Sequence, residues 1–127
     1  MENSIESVTR LLLSRALDAA VLRQQVFAAN LANAALPGHA ALAVSFESSL
    51  GRARDDWMAS GRVEAISVED AAATVEEAAD ADGAPRAVHH DEQVTQMAAN
   101  AVHHQALLQG VSRQLSLLAL AVSEGRR

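Results

Sequence analysis

The sequence predicts an all-α, elongated fold: two long terminal helices paired in coiled-coil fashion, joined by a short helix and a weakly ordered middle segment. Three observations predict it. From Val94 to Val122 apolar residues return every three and four positions. With Val94 at heptad position a, Ala101, Leu108, Leu115 and Val122 follow at a, and Met97, His104, Val111 and Leu118 fall at d, with His104 alone breaking the row. The N-terminal third repeats this spacing through Ile5, Val8, Leu12, Ala19, Leu22, Val26 and Ala29, and neither Pro nor Gly occurs before Pro37. Finally, 50% of residues are hydrophobic but only 2% are aromatic, so Ala, Leu and Val carry the apolar count, as helix-on-helix packing requires. At 127 residues the chain forms one structural unit, with a long helix over 1–35, a linker with a short helix and an acidic Ala-rich stretch over 36–90, and a second long helix over 91–127.

Taken in order, Asn3 and Glu6 have the spacing of a capping box, so the first helix is expected to start near Ser4. A second stripe, Leu13, Leu17, Ala20, Phe27 and Leu31, lies on another face, as expected of a helix contacted from two sides. Arg15 interrupts the main stripe. The helix must stop around Asn33 to Ala35, because the residue before Pro37 is pushed out of helical geometry and Gly38 readily takes positive φ. Phe46, Leu50, Ala53 and Trp57 then recur with helical spacing, which predicts a short helix capped by Ser45 and weakened by Gly51. Between Ala59 and Ala87 two readings compete. Val63 to Val68 suits a strand, whereas Ser67 with Asp70, followed by Ala71, Ala72, Val75 and Ala79, suits a capped helix, which is preferred. Asp82-Gly83-Ala84-Pro85 is a turn. The last helix opens near Asp91, with Glu92 in its first turn, and ends at Gly125 before Arg126 and Arg127.

Charge excludes one class of function. The 10 basic residues, all Arg, face 16 acidic ones for a net −6, which leaves no local excess of cations for nucleic acid. The acidic middle, with Glu64, Glu69, Asp70, Glu76, Glu77, Asp80 and Asp82, reads as a solvated face. The absence of cysteine excludes disulfides, thiolate metal sites and thiol nucleophiles. The run Leu11-Leu12-Leu13 is far shorter than a secretory or membrane-spanning segment. Neither a cleaved signal nor a direct membrane span is expected.

No constellation for catalysis emerges. His89-His90 and His103-His104 are adjacent pairs whose side chains diverge by about 100° on a helix, whereas chelation from one helix needs His at i and i+4. Asp55-Asp56 and Glu76-Glu77 lie in polar surroundings that would not drive their pKa values apart. No serine occupies a nucleophile turn, and no glycine-rich phosphate loop is present. No metal, cofactor, small-molecule substrate or enzymatic activity is expected.

The stretch Asn30-Leu31-Ala32-Asn33-Ala34-Ala35-Leu36-Pro37-Gly38-His39, closing the long N-terminal helix, resembles the Asn-Ile-Ala-Asn-x-x-Thr-Pro-Gly-Tyr signature of flagellar rod and hook proteins. Val44-Ser45-Phe46-Glu47 and the block Met97-Ala98-Ala99-Asn100-Ala101-Val102-His103-His104-Gln105-Ala106-Leu107 resemble more narrowly the flagellar basal-body rod protein B family of the proximal rod. The resemblance covers both terminal thirds. Leu36 stands where the family has Thr, His39 where it has Tyr, and His89-His90 where it has Asp-Leu, departures that a divergent rod paralogue would show.

The resemblance implies a rod subunit whose terminal helices pair and stack with copies of itself and with other rod and basal-body proteins, crossing the periplasm after export without a cleaved signal. The expected interface comprises Ile5, Val8, Leu12, Leu22, Val26, Asn30, Asn33, Pro37 and Gly38 from the first half. From the second it takes Val94, Met97, Ala101, His104, Leu108, Val111, Leu115, Leu118 and Val122. Two other readings stand beside it: a helical-hairpin adaptor that binds a single protein partner, and a histidine-dependent metalloprotein.

Overall fold

The computed structural model describes residues 2–126. Its frame is a pair of helices, α1 (Glu2–Asn33) and α4 (His90–Glu124), of 32 and 35 residues. At ~1.5 Å per residue these are roughly 48 and 52 Å long. Between them the chain forms β1 (Leu42–Ser45), a 3-10 turn (Glu47–Leu50), α2 (Gly51–Ser60), α3 (Ala65–Glu69) and β2 (Thr74–Glu77). The fold is therefore mostly helical, as the periodicity predicts, but it is not strictly all-α, because β1 and β2 pair antiparallel from Leu42↔Glu77 to Ser45↔Thr74.

The first helix begins at Glu2, which places Asn3 inside it and not at its cap. It ends at Asn33, and Gly38 takes φ 74 in the turn beyond, where a side chain would be strained. The predicted short helix exists as two pieces, with Phe46 and not Ser45 at the first cap, and with Gly51 opening α2 instead of weakening it. Ser45 instead shares a 2.7 Å hydrogen bond with the Ser48 hydroxyl.

The middle segment departs furthest from expectation. The preferred helix over Ser67 to Ala79 is replaced by the short α3 and the strand β2, and a backbone junction closes the segment. Ala41 N–H donates to the Arg86 carbonyl, Arg86 N–H to the Ala78 carbonyl, and Ala78 N–H to the Ala41 carbonyl, each at 2.8 Å. Three chain segments thus satisfy one another's peptide groups in a ring, which supplies through backbone what the acidic sequence lacks in apolar side chains. The Asp82-to-Pro85 turn forms as predicted, with Gly83 at φ 84 and Asp82 Oδ1 accepting from Ala84 N–H at 3.0 Å.

Two small apolar clusters fasten this segment to α1. In one, Val8 meets Ala53 and Val68, with Leu11, Val63 and Ala65 around them. In the other, Ala19 meets Phe46 and Ala71, with Ala16, Leu50 and Ala73. Phe46 is only 4% exposed, and burying such a side chain stabilises by roughly 1.5–3 kcal/mol. Arg15, which breaks the stripe, has a structural reason to be there: its Nη2 donates to the Glu69 carbonyl at the end of α3, 2.8 Å away. Arg23 Nη2 reaches both carboxylate oxygens of Glu47 at 2.7 Å and holds the 3-10 turn against α1.

Candidate assembly interface

The main stripe of α1 is covered in part inside the chain, with Val8, Ala19 and Val26 buried but Ile5 and Leu12 exposed. The second stripe meets α4. Leu13 Cδ2 lies 3.6 Å from the position of a Cβ on Gly110, and Asn100 Nδ2 donates to the Ala20 carbonyl. Further contacts set the direction: Gln114 Nε2 donates to the Glu6 carbonyl at 3.1 Å near one end, and Asn30 Nδ2 donates to Gln93 Oε1 at 2.9 Å near the other. α1 and α4 therefore run antiparallel, with the start of one beside the end of the other.

This pairing uses only part of the predicted seam. Met97, His104 and Val111, all at d, are half-buried, and Val111, Gln114, Leu115 and Leu118 line a small hollow with Glu6 and Arg10 of α1. The other flank of the contact is not a but g, where Gln93 and Asn100 are buried and Leu107 and Gln114 half-buried. The a positions are exposed, although Leu115 borders α1. Val94 is 55% exposed, Leu108 47%, Leu115 54% and Val122 59%, with Ala101 exposed as well. Towards its C-terminus α4 outruns α1, and Leu117 and Leu120 are exposed too.

Of the remaining predicted interface residues, Asn30 is wholly buried. Its Nδ2 donates to the Leu42 carbonyl and its Oδ1 accepts from the Leu42 N–H, both at 2.9 Å, so that it imitates a strand partner for β1. Leu22 and Asn33 are half-buried, and Asn33 Nδ2 turns back to the Ala29 carbonyl at 2.9 Å. Ile5, Leu12, Pro37, Gly38 and Leu118 are exposed. Residues that the apolar periodicity passes over, Gln93, Asn100 and Gln114, form part of the real contact. Their spacing at one heptad position was the signal, but as amides they read as solvated.

A groove of about 550 Å³ opens between the first half of α1 and the α2–α3 pair. Ile5, Leu12, Trp57 and Val63 supply its apolar lining, and Arg54 and Arg62 its charge. Electrostatics elsewhere are mild. Burial pushes the Glu47 carboxyl up, but its own backbone N–H and the hydrogen bond and charge of Arg23 outweigh this and hold it below the ordinary value. Arg86 is held above its usual value by its hydrogen bond to Asp80, at 3.0 Å, and by Glu92. Among the described residues no three His, Asp or Glu side chains converge as metal ligands would.

α4 is by length and composition long and apolar enough to cross a membrane, and none of its qualifying stretch, with a mean hydropathy of 1.2, is buried within the chain. Its middle nevertheless carries His103, His104, Gln105, Gln109, Arg113 and Gln114. Polar groups at that depth are costly in hydrocarbon, whereas a partner helix can satisfy them. Comparison with known protein families and with curated proteins yields no match to this chain.

Proposed function

We propose that the chain is a structural subunit of the flagellar proximal rod, in which it polymerises through its terminal helices with copies of itself and with other basal-body proteins. One observation carries this reading beyond the sequence resemblance: α4 is apolar on two flanks, and α1 covers only one. A helix with its d and g flank occupied and its a flank open is what a packed layer in a tube needs, because each subunit must bury one face within itself and offer another to its neighbour. The chemistry of the site supports a structural role, since the groups that line it are aliphatic side chains and amides.

The reading is tested by deleting the gene and by probing isolated basal bodies with antibody to the chain. Loss of swimming, with the chain present in wild-type basal bodies, is the expected result. Normal swimming and normal rods in the deletion strain would overturn it.

A second reading, an adaptor for a single protein partner, is favoured by the groove between α1 and the α2–α3 pair, whose apolar lining suits a docked helix. Light scattering separates the two. An adaptor forms a closed complex of fixed mass, whereas a rod subunit with its neighbours adds mass without a fixed limit.

A further inference from the structure

α4 carries a second seam beside the one that meets α1, and we infer that α4 of a second copy fills it, running antiparallel in a closed twofold dimer centred on Leu108. The seam consists of the a positions together with the e positions, Ala98, Gln105, Ser112 and Ala119, all exposed. No charged residue stands at an a or e position between Val94 and Val122. In the antiparallel register the a residues of the two copies face one another, Val94 with Val122, Ala101 with Leu115 and Leu108 with itself, along a face without charge.

The exposed area leaves room for a partner. A compact monomer of 13.4 kDa exposes about 6,500 Å² by the usual scaling of surface with mass. This chain exposes 8769 Å². The surplus, roughly 2,300 Å², exceeds the ~800 Å² per partner that a stable interface buries, so one helix-long contact fits within it.

Charge chooses the direction. Asp91 stands at e at the start of α4 and Arg126 in the turn just beyond its end at Glu124, both exposed and neither in an ion pair among the described residues. Antiparallel pairing about Leu108 sets Val94 opposite Val122 and brings Asp91 of each copy towards Arg126 of the other, twice. Parallel pairing would set Asp91 against Asp91 and Arg126 against Arg126, which is repulsive at both ends. Among the described residues the chain packs mainly on the d and g side, and the a and e positions are exposed, with Leu115 alone of the a row also bordering Glu6 and Arg10 of α1.

The inference does not rest on the rod reading, because it concerns the free chain. In a rod subunit the same dimer would cover the surface needed for assembly, and the two copies would have to part before incorporation.

Because the chain has no cysteine, single introduced thiols report the geometry directly. Size-exclusion chromatography with light scattering should give twice 13.4 kDa for the unmodified full chain. Under mild oxidation Leu108→Cys should form a covalent dimer with itself. Val94→Cys should not, but should cross-link when mixed with Val122→Cys. Arg126→Asp should raise the dimer dissociation constant roughly 3- to 10-fold, and adding Asp91→Arg should restore it. Self-linking of Val94→Cys would show parallel pairing and overturn the proposal. So would a monomer that floats with phosphatidylcholine vesicles, a monomer that stays in solution, or growth into assemblies larger than two.

Discussion

Asn100 of α4 donates through Nδ2 both to the Ala20 carbonyl, at 2.9 Å, and to Gln24 Oε1, at 2.8 Å, and so pins the two long helices at one height. An antiparallel pair built mainly from Ala, Leu and Val can slide by a turn at little cost, because one aliphatic contact replaces another. A buried amide with fixed partners cannot, since a slip leaves it unsatisfied. Asn30 and Gln93 repeat the device one heptad nearer the start of α4.

Asn30→Ala should destabilise the chain by at least about 2–3 kcal/mol, because it strands the Leu42 peptide groups and the Gln93 amide in a buried site. Asn33→Ala, which removes one local bond to the Ala29 carbonyl, should cost less than about 0.5 kcal/mol. Urea denaturation of both variants checks the contrast. Equal midpoints would show that the Asn30 clamp contributes nothing.

Leu108→Asp and Val111→Asp should fail in different ways. Val111, half-buried against α1, should lose about 1–2 kcal/mol of fold stability. Leu108 is exposed in the single chain, so its substitution should leave the dilute monomer within about 0.5 kcal/mol of wild type, and under the proposed rod function it should abolish incorporation into the rod and swimming. Leu115→Asp should behave as Leu108→Asp, and Gln109→Asp should be mild in both assays. Denaturation at low protein concentration, beside soft-agar motility and immunoblots of basal bodies, measures the two effects separately.

The Arg23–Glu47 pair makes a prediction about acid. Glu47 has a folded pKa below its ordinary value, so it binds protons more readily when unfolded. Its contribution is therefore present above the unfolded pKa and is lost as pH falls through the folded one. Glu47→Gln should be less stable than wild type at neutral pH, and the gap should close below the ordinary glutamate range. Both partners reach solvent, so added salt should narrow the gap at neutral pH as well. Urea midpoints of the two proteins across this pH range would show whether it closes.

Gly110→Ala should stabilise. The glycine lies mid-helix in α4, and a Cβ there meets Leu13 Cδ2 at 3.6 Å and Cδ1 at 3.9 Å, ordinary contact distances. Removing the entropic cost of glycine from a helix is worth about 0.5–1 kcal/mol. A raised urea midpoint is expected, and a lowered one would mean that the two helices pack closer than these distances indicate.

By itself the sequence determined the two long helices, the stop at Asn33 before Pro37-Gly38, the turn around Gly83 and the d row of α4, because each rests on local chemistry: a repeat of apolar residues, a missing N–H, a permitted positive φ. Tertiary structure decided which flank of each helix faces inward. On α4 the apolar arc is wider than one partner covers, and periodicity marks the arc without saying which part α1 takes. The amides Gln93, Asn100 and Gln114 look solvated in isolation and enter the contact only because Asn30, Gln24 and the Glu6 carbonyl stand opposite. Tertiary structure also made a strand of Thr74–Glu77, four exposed residues without apolar alternation. Their hydrogen bonds come from Leu42–Ser45, about thirty residues away, and a pairing at that distance leaves no mark in the local pattern.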